Sequence, residues 1–267
     1  MRRNNIEYMA TYKKRGYKPK TKVENVVEEE IISDENSTTA EVFNTLDEGA
    51  SKTEEWVAKN QKNIFIFVGV VAAIVLGYLG YNKLIQEPKE SEAMNDMFKA
   101  QQYFNEAVNG VEKDSLFNLA LNGGEGKYGM LDIVKNHGGT KAANLANYYA
   151  GMAYLNLKDY QNAITYLSDF SSDDEVLGPI ATGGIADAFI QLDQTADALG
   201  YYEKAASMKA NDYTTPMYLY KAGTTALKLG QNDKALKFFT RIKEEFSTST
   251  EAANVDVFIG KAQAATN

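Results

Sequence analysis

The chain contains one long stretch of consecutive apolar residues. From Ile64 to Tyr81 it reads IFIFVGVVAAIVLGYLGY, with no charged residue among the 18. At ~1.5 Å of rise per residue such a helix is ~27 Å long, close to the ~30 Å hydrocarbon thickness of a lipid bilayer. A helix buried in a soluble core rarely lacks polar residues on every face. The pattern predicts a transmembrane helix over residues 63–87, with Pro88 at its end.

After Pro88, apolar residues recur at intervals of three and four positions, which predicts helices almost throughout. Three small residues recur at spacings of 35 and 37 residues, and an alanine follows each of them after 12 positions. The small residues are Gly151, Ala186 and Gly223, and the alanines are Ala163, Ala198 and Ala235. The pattern indicates three stacked helical hairpins, in which small residues let the paired helices approach and stacking supplies the core.

The repeated units resemble the tetratricopeptide repeat. The resemblance lies in the motifs AGMAYLNLKDYQNAITYL, IADAFIQLDQTADALGYYEKA and AGTTALKLGQNDKALKFF. The usual Trp near the start of each first helix is absent, and so is the usual proline that closes each unit. The resemblance implies an all-α solenoid of tetratricopeptide-like helical hairpins. With the apolar run and the charged tail, the predicted architecture is this solenoid after one transmembrane helix and a disordered N-terminal tail. The resemblance also implies a concave surface, lined by the first helices, that binds peptides or partner helices.

The sequence divides into four predicted parts. They are a disordered charged cytoplasmic tail at residues 1–62, a transmembrane helix at 63–87, a divergent helical first layer at 88–145, and three repeats with a C-terminal capping helix at 146–267. Within the tail, a short helix is expected around residues 40–59. The two halves of the tail differ in net charge, because residues 1–22 are net positive and the segment that follows is net negative.

Charge predicts the orientation of the span. Lysines flank it equally, with Lys59 and Lys62 before it and Lys83 and Lys89 after it. Residues 2–22 carry eight basic residues and one acidic residue, and such segments stay in the cytoplasm. The prediction is therefore a single pass through a bacterial inner membrane, with the C-terminal domain in the periplasm. The basic tail is also suited to lie near the ribosome or anionic lipid, although a solvated tail that sets the topology is the simpler interpretation.

Composition excludes several kinds of chemistry. The chain has no cysteine and one histidine, His137, which rules out thiol catalysis, disulfides and zinc sites built from Cys or His. A net charge of −8 argues against a dedicated nucleic-acid-binding protein. Residues 124–129, GEGKYG, match G-x-G-x-x-G, but no predicted strand precedes them, so they predict a turn. We predict no enzyme activity, no catalytic residues, no cofactor and no metal site.

The remaining candidate site is the surface formed by the first helices of the repeats. In the repeat register, the residues expected to line a partner-binding groove there are Tyr148, Met152, Asn156, Asp187, Gln191, Tyr220, Thr224 and Lys228. Met and Tyr side chains make adaptable, amphipathic contacts with peptides. The alternative is that several of these residues pack against the capping helix instead.

The order of the parts resembles the YfgM family, an ancillary subunit of the bacterial Sec translocon. The resemblance covers residues 63–265, while the tail is longer than the short cytoplasmic segment of typical members. It implies a periplasmic adaptor that contacts the SecYEG channel and a periplasmic chaperone or a nascent exported chain. The alternative is a scaffold of an envelope-assembly or cell-division complex, because the spacing in FFTRIKEEFSTSTEA also resembles repeat proteins of those complexes.

Overall fold

The computed structural model describes residues 38–265 of the 267-residue chain. The predicted basic segment 2–22 lies outside the described residues. The chain forms two structural units, Met1–Gly69 and Val70–Asn267. Helices connected by short turns make up the described residues, and no β-strand occurs between residues 38 and 265. The predicted all-α class is confirmed.

Eleven α-helices follow one another within the described part of the chain. They are α1 (Thr38–Tyr81), α2 (Glu87–Asn109), α3 (Lys113–Asn122), α4 (Met130–Asn136), α5 (Lys141–Asn156), α6 (Tyr160–Asp169), α7 (Leu177–Gln191), α8 (Thr195–Ser207), α9 (Thr214–Lys228), α10 (Asn232–Glu245) and α11 (Val255–Ala264). A π-helical segment, Asn82–Gln86, joins α1 to α2, and a 3₁₀ turn, Glu251–Asn254, precedes α11.

Helix α1 joins the helix expected around residues 40–59 and the predicted span into one continuous helix. Residues 38–62, assigned to a disordered tail with a short helix around 40–59, are helical from Thr38 onward. The physical reason is that helix growth is cooperative: once the apolar run forms a helix, each added residue gains one hydrogen bond at a small entropic cost. The segment is also rich in good helix formers such as Ala, Glu and Lys.

The helix also continues past Pro88, where its end was predicted. In the π-helical segment the Glu87 N–H donates to the carbonyl of Asn82, one residue further back than in an α-helix. Pro88 then lies in the first turn of α2, a position where the missing N–H is tolerated. The wider turn thus accommodates the proline, and helical structure is continuous over Gly49–Asn109. By length and composition this stretch is able to cross a membrane, and none of its most apolar 18 residues is buried.

Helices α2, α3 and α4 form a first layer that packs against α5. Its core includes Met97, Phe117 and Met130, which are almost fully buried. The Phe104 ring joins the layer to α5, because it contacts the Phe117 ring at 5.4 Å and the Tyr149 ring at 4.9 Å between centroids. Residues 124–129 form the predicted turn between α3 and α4.

Three helical hairpins follow: α5–α6, α7–α8 and α9–α10. Each packs against the next, and α11 covers the last of them. The predicted small residues lie where the paired helices touch. A Cβ added to Gly151 would lie 2.5 Å from Cγ of Leu167, and one added to Gly223 would lie 2.6 Å from Cζ of Phe239. Ala186 takes the corresponding place in the second hairpin and is fully buried. These contacts confirm the predicted role of the small residues.

A polar side chain caps the start of each first helix. Thr140 accepts from the N–H of Ala143 at 3.0 Å, and Asp174 accepts at 2.8 Å from the N–H groups of Val176 and Leu177. These two backbone hydrogen bonds lower the pKa of the Asp174 carboxyl. Asn211 caps the start of α9, because its side-chain oxygen accepts from the Tyr213 and Thr214 N–H groups at 2.9 and 2.7 Å. The caps compensate donors that a helix start leaves unpaired.

Glu90→Ala is expected to lower the free energy of unfolding by about 1–2 kcal/mol. The Glu90 carboxylate accepts from the N–H groups of Lys141 and Ala142 at 2.7 and 2.8 Å, so it caps α5 from helix α2. The measurement is urea unfolding of the detergent-solubilised chain, followed by circular dichroism. Glu92→Ala, an exposed position on the same helix, is the control. Equal losses for the two variants would contradict the capping role.

Candidate partner-binding surface

All eight predicted groove residues lie on the first helices of the three hairpins. Helix α5 carries Tyr148, Met152 and Asn156, α7 carries Asp187 and Gln191, and α9 carries Tyr220, Thr224 and Lys228. We call the surface that they share the first-helix face. Their burial differs along the helices, so the face has an exposed end and a packed end.

The exposed end of the first-helix face is a row of three polar residues. Asn156, Gln191 and Lys228 are the last residues of α5, α7 and α9, and all three are exposed. The Tyr160 hydroxyl donates to Oε1 of Gln191 at 3.4 Å, which links the first hairpin to the second. A lysine at a helix C-terminus also interacts favourably with the helix dipole. The row presents amide and ammonium groups to a partner.

The packed end of the face holds two tyrosines that are only partly accessible. Tyr220 contacts the ring of Phe258 in the capping helix α11 at a centroid distance of 5.1 Å. Tyr148 contacts Phe170 at 5.3 Å, and burial raises the pKa of its hydroxyl. The alternative expectation, packing against the capping helix, therefore holds for Tyr220.

Met152 and Thr224 lie one turn before the ends of their helices and are half-buried. Met152 packs against the apolar clusters on both sides of α5, so it belongs as much to the core as to the surface. The Thr224 hydroxyl donates back to the carbonyls of Tyr220 and Lys221 at 3.1 and 3.0 Å. Both side chains therefore contact the protein itself more than the solvent.

Asp187 lies at the centre of a polar cluster between the second and third hairpins. Nζ of Lys221 approaches the two carboxylate oxygens at 2.7 and 2.8 Å, and the Tyr202 hydroxyl donates to the same carboxylate. The ammonium group also lies over the rings of Tyr202 and Tyr218, at 5.6 and 5.8 Å from their centroids. The side chains of Asp187 and Lys221 are each 36% exposed, so a partner can reach both charges.

The two tyrosines of this cluster keep their protons well above neutral pH. Burial raises the pKa of Tyr202 and of Tyr218, and the negative charge of Asp187 raises both further. At neutral pH Tyr202 is therefore a hydroxyl donor that holds the Asp187 carboxylate in place. The result is a fixed pair of opposite charges, suited to binding polar groups of another protein.

Sequence reasoning placed Asp187 on this surface but missed Lys221, Tyr202 and Tyr218. The available signal was the repeat register, in which Lys221 lies 34 residues after Asp187 and therefore on the next first helix. Among residues 38–265, no group of three or more His, Asp or Glu side chains is arranged to hold a metal ion.

A family profile supports the repeat architecture in two of the three hairpins. The profile of the tetratricopeptide repeat family matches residues 145–173 and 218–249, which correspond to the first and third hairpins. No curated protein matches the sequence. Two crystal structures of TPR-like repeats from a Podosopora anserina kinesin light chain, one of them a point variant, are similar at 11% identity and a TM-score of 0.47. The similarity covers 66% of this chain and 87 or 88% of those chains.

The chain is therefore an all-helical protein with a solenoid of tetratricopeptide-like hairpins. Tetratricopeptide repeats bind other proteins, and their folds are generally non-catalytic scaffolds. The class of protein that the repeats define is an adaptor that acts through protein–protein contacts.

Proposed function

We propose that this protein is a membrane-anchored adaptor whose tetratricopeptide solenoid binds a protein partner. The observation that carries the proposal is the apolar stretch within Gly49–Asn109, in which no residue of the most apolar 18 is buried and which runs into α2 of the first layer. Exposed apolar surface of this extent is unfavourable in water and is stable in a bilayer. The stretch therefore anchors the chain, and the solenoid is presented at the membrane.

The proposed setting is the Sec machinery of a bacterial inner membrane. The order of a basic tail, one span and an acidic repeat domain supports it, as does the resemblance to the YfgM family. In this arrangement the N-terminus is cytoplasmic and the solenoid lies in the periplasm. There it contacts a SecYEG-type channel and a periplasmic chaperone or nascent exported chain, and so assists the folding of exported proteins.

The proposed partner site is the exposed part of the first-helix face. Asn156, Gln191 and Lys228 supply hydrogen-bond donors and acceptors, and the pair Asp187–Lys221 adds one charge of each sign. Polar residues of this kind fix the register of a bound segment, whereas the accessible part of Met152 adds apolar contact area with that segment.

The test is a pull-down of the tagged full chain in mild detergent, with mass spectrometry of the retained proteins. We expect translocon subunits and a periplasmic chaperone. In the triple variant Asn156→Ala/Gln191→Ala/Lys228→Glu, retention of the partner should fall about tenfold, equivalent to ~1.4 kcal/mol. Lys237→Glu, an exposed position on α10, makes the same charge change away from the face and should retain the partner.

Different outcomes test the cellular setting, the binding surface and the membrane anchor. Recovery of envelope-assembly or division proteins would keep the adaptor and replace the Sec setting with the scaffold alternative. Unchanged retention by the triple variant would contradict the first-helix face as the binding site. Absence of the chain from carbonate-washed membranes would contradict the anchor.

A further inference from the structure

Helix α2 buries one side in the first layer and exposes the other. The exposed side carries an apolar residue at Met94, Phe98 and Val108, with side chains 43%, 69% and 49% exposed. Gln101 and Asn105 lie between them, so the five positions follow one another at steps of four and three residues. That spacing places them on one stripe of the helix and is the pattern through which parallel helices pack. We call these five residues the α2 stripe.

The α2 stripe is uncharged although the helix is rich in charge. Helix α2 contains five acidic and two basic residues. Glu87 and Glu90 precede the stripe on the same side of the helix, and no charged residue lies in the stripe between Met94 and Val108. Four charged residues follow a different edge of the helix, at Glu92, Asp96, Lys99 and Glu106. Two of them are engaged within the first layer, because Asp96 contacts Nε2 of His137 at 2.9 Å and Lys99 lies 3.7 Å from Glu125.

The distribution of charge favours a second copy of the chain as the partner of this stripe. When two identical helices pack in parallel, each residue meets its own counterpart, so any charge in the contact would face a like charge. An uncharged stripe avoids this repulsion. Gln101 and Asn105 each offer a donor and an acceptor, so each amide is able to pair with its copy and fix the register.

Lipid is a poor alternative occupant because of distance. Phe98 lies 17 residues beyond Tyr81, the last residue of the apolar run. At ~1.5 Å per residue this places it ~25 Å further along the helix, well outside the hydrocarbon layer. Anchoring in one bilayer also makes two copies emerge in the same direction, so equal residues come to equal heights.

We propose that two copies of this protein pair through the α2 stripe, with their α2 helices parallel, Gln101 at the centre of the contact and Phe98 as its largest apolar side chain. The inference rests on the proposed membrane anchor. It makes the adaptor bivalent, with one first-helix face on each copy of the solenoid.

The absence of cysteine allows a clean test by single-cysteine cross-linking in native membranes. Cysteine is introduced at one position per variant, and an oxidant forms disulfides only where two Cβ atoms come within about 4.5 Å. We expect disulfide-linked dimers for Met94→Cys, Phe98→Cys, Gln101→Cys, Asn105→Cys and Val108→Cys. The exposed controls Glu92→Cys and Glu106→Cys, on the same helix, should give at least about fivefold less dimer because they lie away from the contact.

Three results would overturn the pairing. One is no dimer at any position, and another is equal dimer at Glu92 and Glu106, which reports random collision. The third is dimer confined to Gln101, which is the pattern of antiparallel helices. Adding Phe98→Glu to Met94→Cys should lower its dimer yield about tenfold, because like charges would then meet in the contact.

Membrane fractionation of the same samples separates this inference from the proposed function. Chain that resists carbonate extraction but gives no dimer overturns the pairing and leaves the anchored adaptor intact. Chain found outside the membrane overturns the anchor and the parallel pairing together.

Discussion

Gly183→Ala is expected to lower the free energy of unfolding by about 3 kcal/mol. A Cβ added at Gly183 in α7 would overlap the ring of Tyr218 in α9. The ring has no free space to move into, because Tyr218 is 3% exposed and stacks on Tyr202 at 6.3 Å between centroids. The second and third hairpins must separate to admit the methyl group. Urea unfolding followed by circular dichroism measures the loss.

Gly200→Ala is the matched control for this prediction. Gly200 lies within the helix α8, and an added Cβ would meet nothing within 4 Å. The same methyl group should therefore stabilise the chain by up to about 1 kcal/mol, since alanine favours helix more than glycine does. Changes of equal size and sign at Gly183 and Gly200 would contradict the contact with Tyr218 as the cause of the loss.

The sequence predicted close contacts within a hairpin better than contacts between hairpins. Gly151 and Gly223 could be placed opposite bulky residues of the second helix because the repeat fixes both positions. Gly183 could not, because it occupies the register position of Tyr148 and Tyr220, where the other units carry a tyrosine. A glycine at a repeat position where the other units carry a large side chain does not reveal which residue fills the space left there. Here the ring comes from the next hairpin.

The same limit applies to the candidate site. The repeat register placed Asp187 on the first-helix face, because that position depends only on the period of one helix. Its contacts with Lys221 and Tyr202 depend on how neighbouring hairpins stack, which sequence spacing does not determine. Tyr220 was assigned to the groove by register alone, although its contact with Phe258 depends on where the capping helix lies.

The ends of the predicted transmembrane helix are a different case. The apolar run itself was evident from the absence of charge, whereas the ends were inferred from local signals that the structure overrides. Pro88 is a strong helix breaker in isolation, but a π-helical turn just before it lets the helix continue. Whether a helix accommodates a proline in this way depends on the backbone geometry of several residues, so no single residue in the sequence indicates it.

Raising the pH above about 10 is expected to destabilise the solenoid steeply, with Tyr202 and Tyr218 as a major cause. Burial and the charge of Asp187 raise the pKa of both hydroxyls in the folded state. The unfolded chain therefore releases these protons from about pH 10 upward, while the folded chain retains them. Their stabilising effect is complete below that pH and is lost as the pH rises toward the folded-state pKa. Each tyrosine contributes ~1.4 kcal/mol per pH unit in this range.

The measurement is the free energy of unfolding from urea titrations at intervals between pH 8 and about 11.5, the range in which the unfolded tyrosines titrate. Relative to the parent chain, Tyr202→Phe/Tyr218→Phe should reduce the downward slope by an amount that approaches about 2.7 kcal/mol per pH unit near pH 11. Groups outside the cluster are the same in both proteins and cancel in the comparison. Tyr128→Phe removes an exposed hydroxyl outside the cluster and should leave the slope unchanged. Identical slopes for the parent and the double variant would mean that the Asp187 cluster does not hold these protons.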